Sequence, residues 1–166
     1  MRSLLRRQTV MPATSTKRHL LAVLLIGAAW LAAPAAFAEE TPIVEVWKGP
    51  KCVCCQDWIK HLEANGFRVK THDTGNTKIR KQLGIPTELG SCHTARVGGY
   101  AIEGHVPARE ISRLIKEKPT ALGLAVPRMP LGSPGMDGPA YGNKREPYDV
   151  LLVTQDGKTT VFQSYR

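Results

Sequence analysis

The chain has 166 residues, with 23 Lys and Arg against 14 Asp and Glu and a formal net charge of +9 with histidine neutral. The excess is uneven: Arg2, Arg6, Arg7, Lys17 and Arg18 precede the first acid, so residues 39–166 carry only about +4. With no dense basic run and no interleaving of aromatic and basic residues, nucleic acid has no support as a partner.

The first 38 residues read as a cleaved secretory signal peptide. Basic residues precede a continuous apolar stretch, Leu20 to Ala33, and Ala36-Phe37-Ala38 supplies the small-x-small pattern of a cleavage site before Glu39. The apolar stretch is short of the ~20 residues a membrane span needs. The expectation is an exported protein, residues 39–166, forming one small domain with no membrane span after cleavage.

Ile43 to Trp47 alternates as a strand should, and Gly49-Pro50-Lys51-Cys52-Val53-Cys54-Cys55-Gln56 follows it directly. Asp57 to Ala64 places apolar residues at 58, 59 and 62, one face of a helix, and Asn65-Gly66 stops it. Three of the four cysteines are thereby expected in a tight loop ahead of a helix N-terminus. Backbone N–H groups and the helix dipole favour anionic sulfur there, with Lys51 as a nearby cation. Thiolates are both the metal-binding and the nucleophilic form.

Phe67 to His72 reads as a second strand, parallel to the first through the helical crossover. Thr77 to Leu83 is a short basic helix ended by Gly84. Ser91 to Val97 and Tyr100 to Gly104 form a hairpin around Gly98-Gly99. A helix follows from Val106 to about Lys118, with Ile111, Leu114 and Ile115 on one face. Gly123 to Gly142 holds four prolines and the methionines Met129 and Met136, too broken for helix or strand, and reads as a long loop. A final hairpin joins Tyr148 to Thr154 with Lys158 to Gln163 around Gln155-Asp156-Gly157. The fold class expected is α/β: a thioredoxin-like β-α-β-α-β-β-α domain with a Pro/Gly/Met loop and a C-terminal β-hairpin.

Four cysteines in an exported chain suggest disulfides. A bridge between the neighbours Cys54 and Cys55 is strained, and one between Cys52 and Cys54 closes too small a ring to constrain much. A bridge from the cluster to Cys92 is the plausible structural one. Soft thiolates select Cu(I), Zn(II) or iron–sulfur species, and methionine narrows the choice toward Cu(I). Crowded thiolates at Cys-x-Cys-Cys spacing suit several Cu(I) ions sharing bridging sulfurs better than one tetrahedral zinc, whose pairs are normally spaced C-x₂₋₄-C. In the expected topology Cys92-His93 runs beside the cluster. The candidate metal ligands are therefore Cys52, Cys54, Cys55, Cys92, His93, Met129 and Met136, and the four cysteines are also the redox candidates. For His105, capping or solvent exposure weighs as much as metal binding. His61 and His72 read as ordinary surface residues, and Trp47 and Trp58 as packing around the cluster.

Lys51-Cys52-Val53-Cys54-Cys55, Ser91-Cys92-His93-Thr94-Ala95, Tyr100 to Pro107 and Gly123 to Met136, in that order, resemble the CopG-type family of exported copper-resistance proteins. The resemblance implies a thioredoxin-like fold, a periplasmic location, copper bound through Cys-x-Cys-Cys plus the later cysteine, and a part in copper tolerance. Two departures from thioredoxin itself are the Cys-x-Cys-Cys spacing and Cys92-His93 standing ahead of Thr94, where a cis-proline would lie. Three functional readings follow. The first is a periplasmic Cu(I)-binding protein that couples thiol redox to Cu(II)/Cu(I) interconversion, its site emptied by a disulfide from the cluster to Cys92. The second is a thiol–disulfide oxidoreductase acting on protein cysteines. The third is a metallochaperone passing copper ions, without turnover, to an efflux system or another periplasmic copper protein.

Overall fold

A computed structural model describes residues 42–166; the expected signal peptide lies outside them. In chain order the elements are β1 (Val44–Lys48), α1 (Val53–Ala64), β2 (Val69–His72), α2 (Thr77–Gln82), β3 (His93–Val97), β4 (Tyr100–Gly104), α3 (Ala108–Glu117), β5 (Gly123–Val126), β6 (Tyr148–Val153) and β7 (Thr159–Tyr165), with short 3₁₀ turns at Thr87–Leu89 and Pro139–Tyr141. The strands make one seven-stranded mixed sheet in the order β2-β1-β3-β4-β5-β6-β7. β1 runs parallel to β2, and β4 parallel to β5; the other neighbours are antiparallel. None of the described helices is long and apolar enough to cross a membrane.

Two apolar layers hold the sheet, and the period-two alternation of the strands explains both. Val44, Val46, Ala95, Val97, Ile102 and Leu124 face α1 and α3, where they meet Trp58, Leu62, Ile111 and Leu114. Ala101, Ala125 and Val153 belong to a second, smaller cluster with Ile85 and Leu89. Each Leu or Ile fully buried in such a layer contributes about 1.5–3 kcal/mol.

Several boundaries differ from those read off the sequence. α1 begins at Val53, four residues earlier than expected, so Cys54 and Cys55 lie in its first turn and Cys52 is its N-cap residue. The buried stripe of α1 is Cys55, Trp58, Ile59 and Leu62, and counting Cys55 as apolar completes an i, i+3, i+4, i+7 face. β2 starts at Val69 and α3 at Ala108, each two residues later than expected, and β3 starts at His93.

The largest correction is β5. Gly123–Val126, expected as the start of the broken loop, is a fully buried strand lodged between β4 and β6. A buried strand shows no alternation, and four residues are too few to signal one. Gly123 is required there by close approach: a Cβ would sit 1.7 Å from the Ala101 carbonyl oxygen.

Candidate metal centre

The centre forms where the C-terminal end of β1, the start of α1 and the start of β3 converge. β1 pairs with β3 so that Lys48 lies opposite His93, which brings the chain just beyond Lys48 alongside Cys92. Cys52 Sγ lies 3.6 Å from Cys54 Sγ, and Cys54 Sγ lies 3.6 Å from Cys92 Sγ. The sulfurs of Cys52, Cys54, Cys55 and Cys92 all fall within 4.8 Å of one another. α1 has no acidic residue in its first turn and no side chain capping it, so the positive end of its dipole acts on the cysteines there without a carboxylate to offset it.

Cys52 and Cys55 are joined as a disulfide, while Cys54 and Cys92 are free. This corrects the expected bridge to Cys92. The pairs 52–54 and 54–55 are indeed unbridged, but Cys52 and Cys55 are separated by two residues, the spacing of thioredoxin's own pair. With Cys52 at the N-cap, one helical turn brings their Cα atoms to 5.3 Å, inside the normal range for a bridge.

Two histidines complete the corner. His93 is fully buried, with Nδ1 3.3 Å from Cys92 Sγ and its ring 4.2 Å from that of Trp58. His105 places Nε2 3.1 Å from the same sulfur, and its Nδ1 lies 2.8 Å from the Pro134 carbonyl oxygen. That carbonyl can only accept, so Nδ1 carries the proton and Nε2 presents a lone pair to the cluster. Cys92, His93 and His105 form a second donor group within 4.8 Å.

The placement of His105 follows from the hairpin register. The Gly98-Gly99 turn sets Val97 opposite Tyr100 and Thr94 opposite Glu103. Continuing that register by two residues sets Cys92 opposite His105, a signal that the sequence carries in the Gly-Gly turn itself.

The loop that carries the methionines packs over the centre. Gly135 lies against the first turns of α1, where a Cβ would come within 2.6 Å of the Cys54 carbonyl oxygen and 2.7 Å of the Trp58 nitrogen; its φ of +82° also favours glycine. Met136, next along, is buried, whereas Met129 is 46% exposed. Met129 lines a separate hollow of about 600 Å³ with Arg128, Glu146 and Tyr148, and no cysteine borders it. His61 and His72 are not plain surface residues. His61 Nε2 accepts from the Ala108 backbone N–H at the start of α3 (3.0 Å), and His72 stacks on Trp47 at 4.7 Å.

Burial disfavours the charged forms of Cys92, His93 and His105 in the metal-free protein. Burial, reinforced by neighbouring Cys54, pushes the Cys92 thiol up to about 12. Burial also holds His93 well below the usual imidazole range, helped by His105, and lowers His105 itself. Neutral imidazoles and a thiol that surrenders its proton to a metal are the states that bind metal, with proton release on loading.

Ser91-Cys92 is fixed from behind by a buried carboxylate. Glu103 Oε1 accepts from Arg80 Nε (2.9 Å) and from the Ser91 backbone N–H (2.6 Å), and Oε2 accepts from Thr94 Oγ1 (2.5 Å). Arg80 and Asn76 also donate to the Ser91 carbonyl, and Ser91 Oγ donates to that of Arg128. No motif in the sequence marks these supporting residues, because their convergence depends on which strands are neighbours.

Fold and site together define a mixed α/β protein with a corner of soft sulfur and imidazole donors suited to a metal ion. Two solved structures match it over nearly their whole length. "Copper resistance protein copG- Form 2" is 41% identical with a TM-score of 0.70, covering 76% of this chain and 100% of that one. "Copper resistance protein copG- Form 1" is 42% identical with a TM-score of 0.70, covering 76% and 98%. The family described as "Protein of unknown function, DUF411" matches residues 89–136, from the end of the 3₁₀ turn to Met136. None of the curated proteins matches. The chain belongs to the CopG copper-resistance protein family.

Proposed function

We propose that this is an exported, periplasmic copper-resistance protein that binds Cu(I) through Cys52, Cys54, Cys55 and Cys92. His93 and His105 supply imidazole at the edge of the site. Met136 adds a thioether from the covering loop, whereas Met129, in its separate hollow, is left out of the site. The observation that carries the reading is the convergence of all four sulfurs on one helix N-terminus. Shared thiolates at this spacing suit more than one Cu(I). The strand order β2-β1-β3-β4, with α1 leaving the cysteine cluster, supports a thioredoxin-like ancestry for the first part of the domain.

The Cys52–Cys55 bridge supports redox coupling. Opening it takes two electrons and two protons and yields two thiols. Conversely, two Cu(II) ions can each accept one electron as those thiols close to the disulfide and release their protons. The same bridge favours a second reading, a thiol–disulfide oxidoreductase, since a C-x-x-C disulfide at a helix N-terminus is the arrangement such exchange uses. A metallochaperone differs from both in leaving the copper oxidation state unchanged.

The deciding experiment is anaerobic Cu(I) titration of the reduced protein, with Cys92→Ser in parallel. More than one Cu(I) per chain, weakened in Cys92→Ser, is the expected result. No tight Cu(I) binding, together with ready exchange of the Cys52–Cys55 bridge with protein thiols, would transfer the assignment to the oxidoreductase.

A further inference from the structure

The bridge leaves one of the two donor groups incomplete and the other intact. Joining Cys52 to Cys55 removes two of the four sulfurs from the thiolate group. Cys92, His93 and His105 lose nothing by it. Zn–S and Zn–N distances of about 2.3 and 2.0–2.1 Å put tetrahedral sulfur and nitrogen ligands about 3.6 Å apart. The separations from Cys92 Sγ, 3.3 Å to His93 Nδ1 and 3.1 Å to His105 Nε2, fall a few tenths short of that edge. The trio is therefore set at close to ligand spacing.

Two further features shape the corner. His93 is fully buried and Nδ1 is the ring nitrogen it turns toward Cys92 Sγ, whereas Nε2, on the other side of the ring, has no hydrogen-bond partner. The Pro134 carbonyl holds the His105 ring in the tautomer that turns Nε2 toward Cys92, the outer contact that metal-bound histidines make.

We infer that the Cys52–Cys55 pair selects between two metal sites sharing Cys92: opened, the corner offers thiolates to a soft monovalent ion; bridged, it offers Cys92, His93 and His105 to a borderline divalent ion of the Zn(II) or Co(II) kind. The inference rests on the thiolate–copper reading for its first half. Opening the bridge consumes a dithiol reductant, which becomes a disulfide while Cys52 and Cys55 gain its two electrons and two protons. On loading the bridged form, Cys92 releases its thiol proton to solvent, and both imidazoles bind neutral, His105 through Nε2 and His93 through Nδ1 with its proton on Nε2. A three-ligand set leaves one position open, as in zinc sites that admit a further ligand.

The test uses Co(II), whose visible and near-ultraviolet bands register thiolate and imidazole ligands and which leaves the disulfide alone. Bridged protein, its disulfide verified by mass, should bind one Co(II) with a single-thiolate charge-transfer band. His105→Ala should weaken that binding at least about tenfold, the lower end of what losing even an outer partner of a metal ligand costs. Should His105→Ala fail to fold, histidine ring ¹⁵N spectra of the Zn(II)-loaded wild-type protein decide instead: His93 and His105 shift on loading, while His61 and His72 do not. Absence of a thiolate band, or ring signals that ignore the metal, overturns the inference. If bridged protein takes Co(II) as described but reduced protein takes no Cu(I), the copper reading falls and the selection with it. If reduced protein takes Cu(I) and bridged protein takes no Co(II), only the present inference falls.

Discussion

Glu103 and Glu110 are both buried, both accept from arginine, and serve different ends. Glu103, at the end of β4, holds Arg80, Thr94 and the backbone of Ser91, and through Ser91 it sets the position of Cys92. Glu110, in the first turn of α3, pairs with Arg109 (2.8 Å) and Arg113 (3.6 Å) and accepts from the Tyr165 hydroxyl (2.9 Å). It thereby anchors the C-terminal hairpin, where Tyr165 stacks on Tyr148 and Arg113 lies 3.8 Å over the ring of Phe162. The difference lies in the cations. Arg80 is itself largely enclosed, whereas Arg109 and Arg113 are 72% and 39% exposed. One carboxylate builds a rigid back wall for a site; the other is a clasp open to water.

The sharpest way to break the contrast is Arg80→Leu. It strips a fully buried carboxylate of its cation, and such a loss costs about 3–5 kcal/mol. Denaturant unfolding should show that loss, and Cu(I) affinity should fall with it because the Ser91-Cys92 segment comes loose. Unchanged copper affinity in a folded Arg80→Leu protein would detach the back wall from the site.

Acid should act next most strongly, and on the Glu103 side of the molecule. His93 and His105 are held neutral below the usual value of 6.5. Below that pH the unfolded chain takes up protons that the folded chain refuses, so stability falls as pH falls; above it both states are neutral and the effect vanishes. Each such imidazole costs up to ~1.4 kcal/mol per pH unit. Thermal unfolding of the metal-free protein should move to lower temperature between about pH 7 and pH 5, and replacing both histidines by glutamine should flatten that slope.

Glu110→Ala should cost about 1–2 kcal/mol, chiefly for the Tyr165 hydroxyl left without its acceptor, because the exposed arginines return to water. Copper stoichiometry should not change. A copper defect in this variant would make the two carboxylates one system rather than two.

Gly135→Ala adds a backbone clash to a left-handed backbone position, so it should cost more than about 1 kcal/mol. Its effect should reach the site as well. The added Cβ pushes the loop off α1, carrying the Pro134 carbonyl from His105 and displacing Met136. Co(II) spectra of the bridged protein should change together with the unfolding midpoint; a lowered midpoint with unchanged spectra would separate the loop from the site.

Much of the corner is legible in the order of residues alone. The cysteine run after an alternating strand and before an apolar helical face sets three thiols at a strand–helix junction, and Gly98-Gly99 marks the hairpin that delivers Cys92. The start of α1 is harder to see, because Val53-Cys54-Cys55 has the character of a reactive loop. Cysteine is also a small apolar side chain, and Cys55 is one of the core positions of that helix. The bridge is hidden for a related reason. Pairs 52–54 and 54–55 are unfavourable in any conformation, and 52–55 becomes near-ideal only once a helical turn lies between. β5 is masked by its shortness and by Gly123, which is there for the close approach of Ala101.

The local elements around the cysteines, the soft character of the donors and the family likeness follow from the order of residues, because each depends on residues adjacent in the chain or on ordered motifs. Which sulfurs are joined, that His105 faces Cys92, and that Glu103 and Arg80 stand behind Ser91 are settled by the folded chain. Those choices come from strand register and from burial. Register turns residues 13 apart, such as Cys92 and His105, into neighbours. Burial then makes every uncompensated polar group expensive, which is why the segment behind Cys92 is so fully hydrogen-bonded.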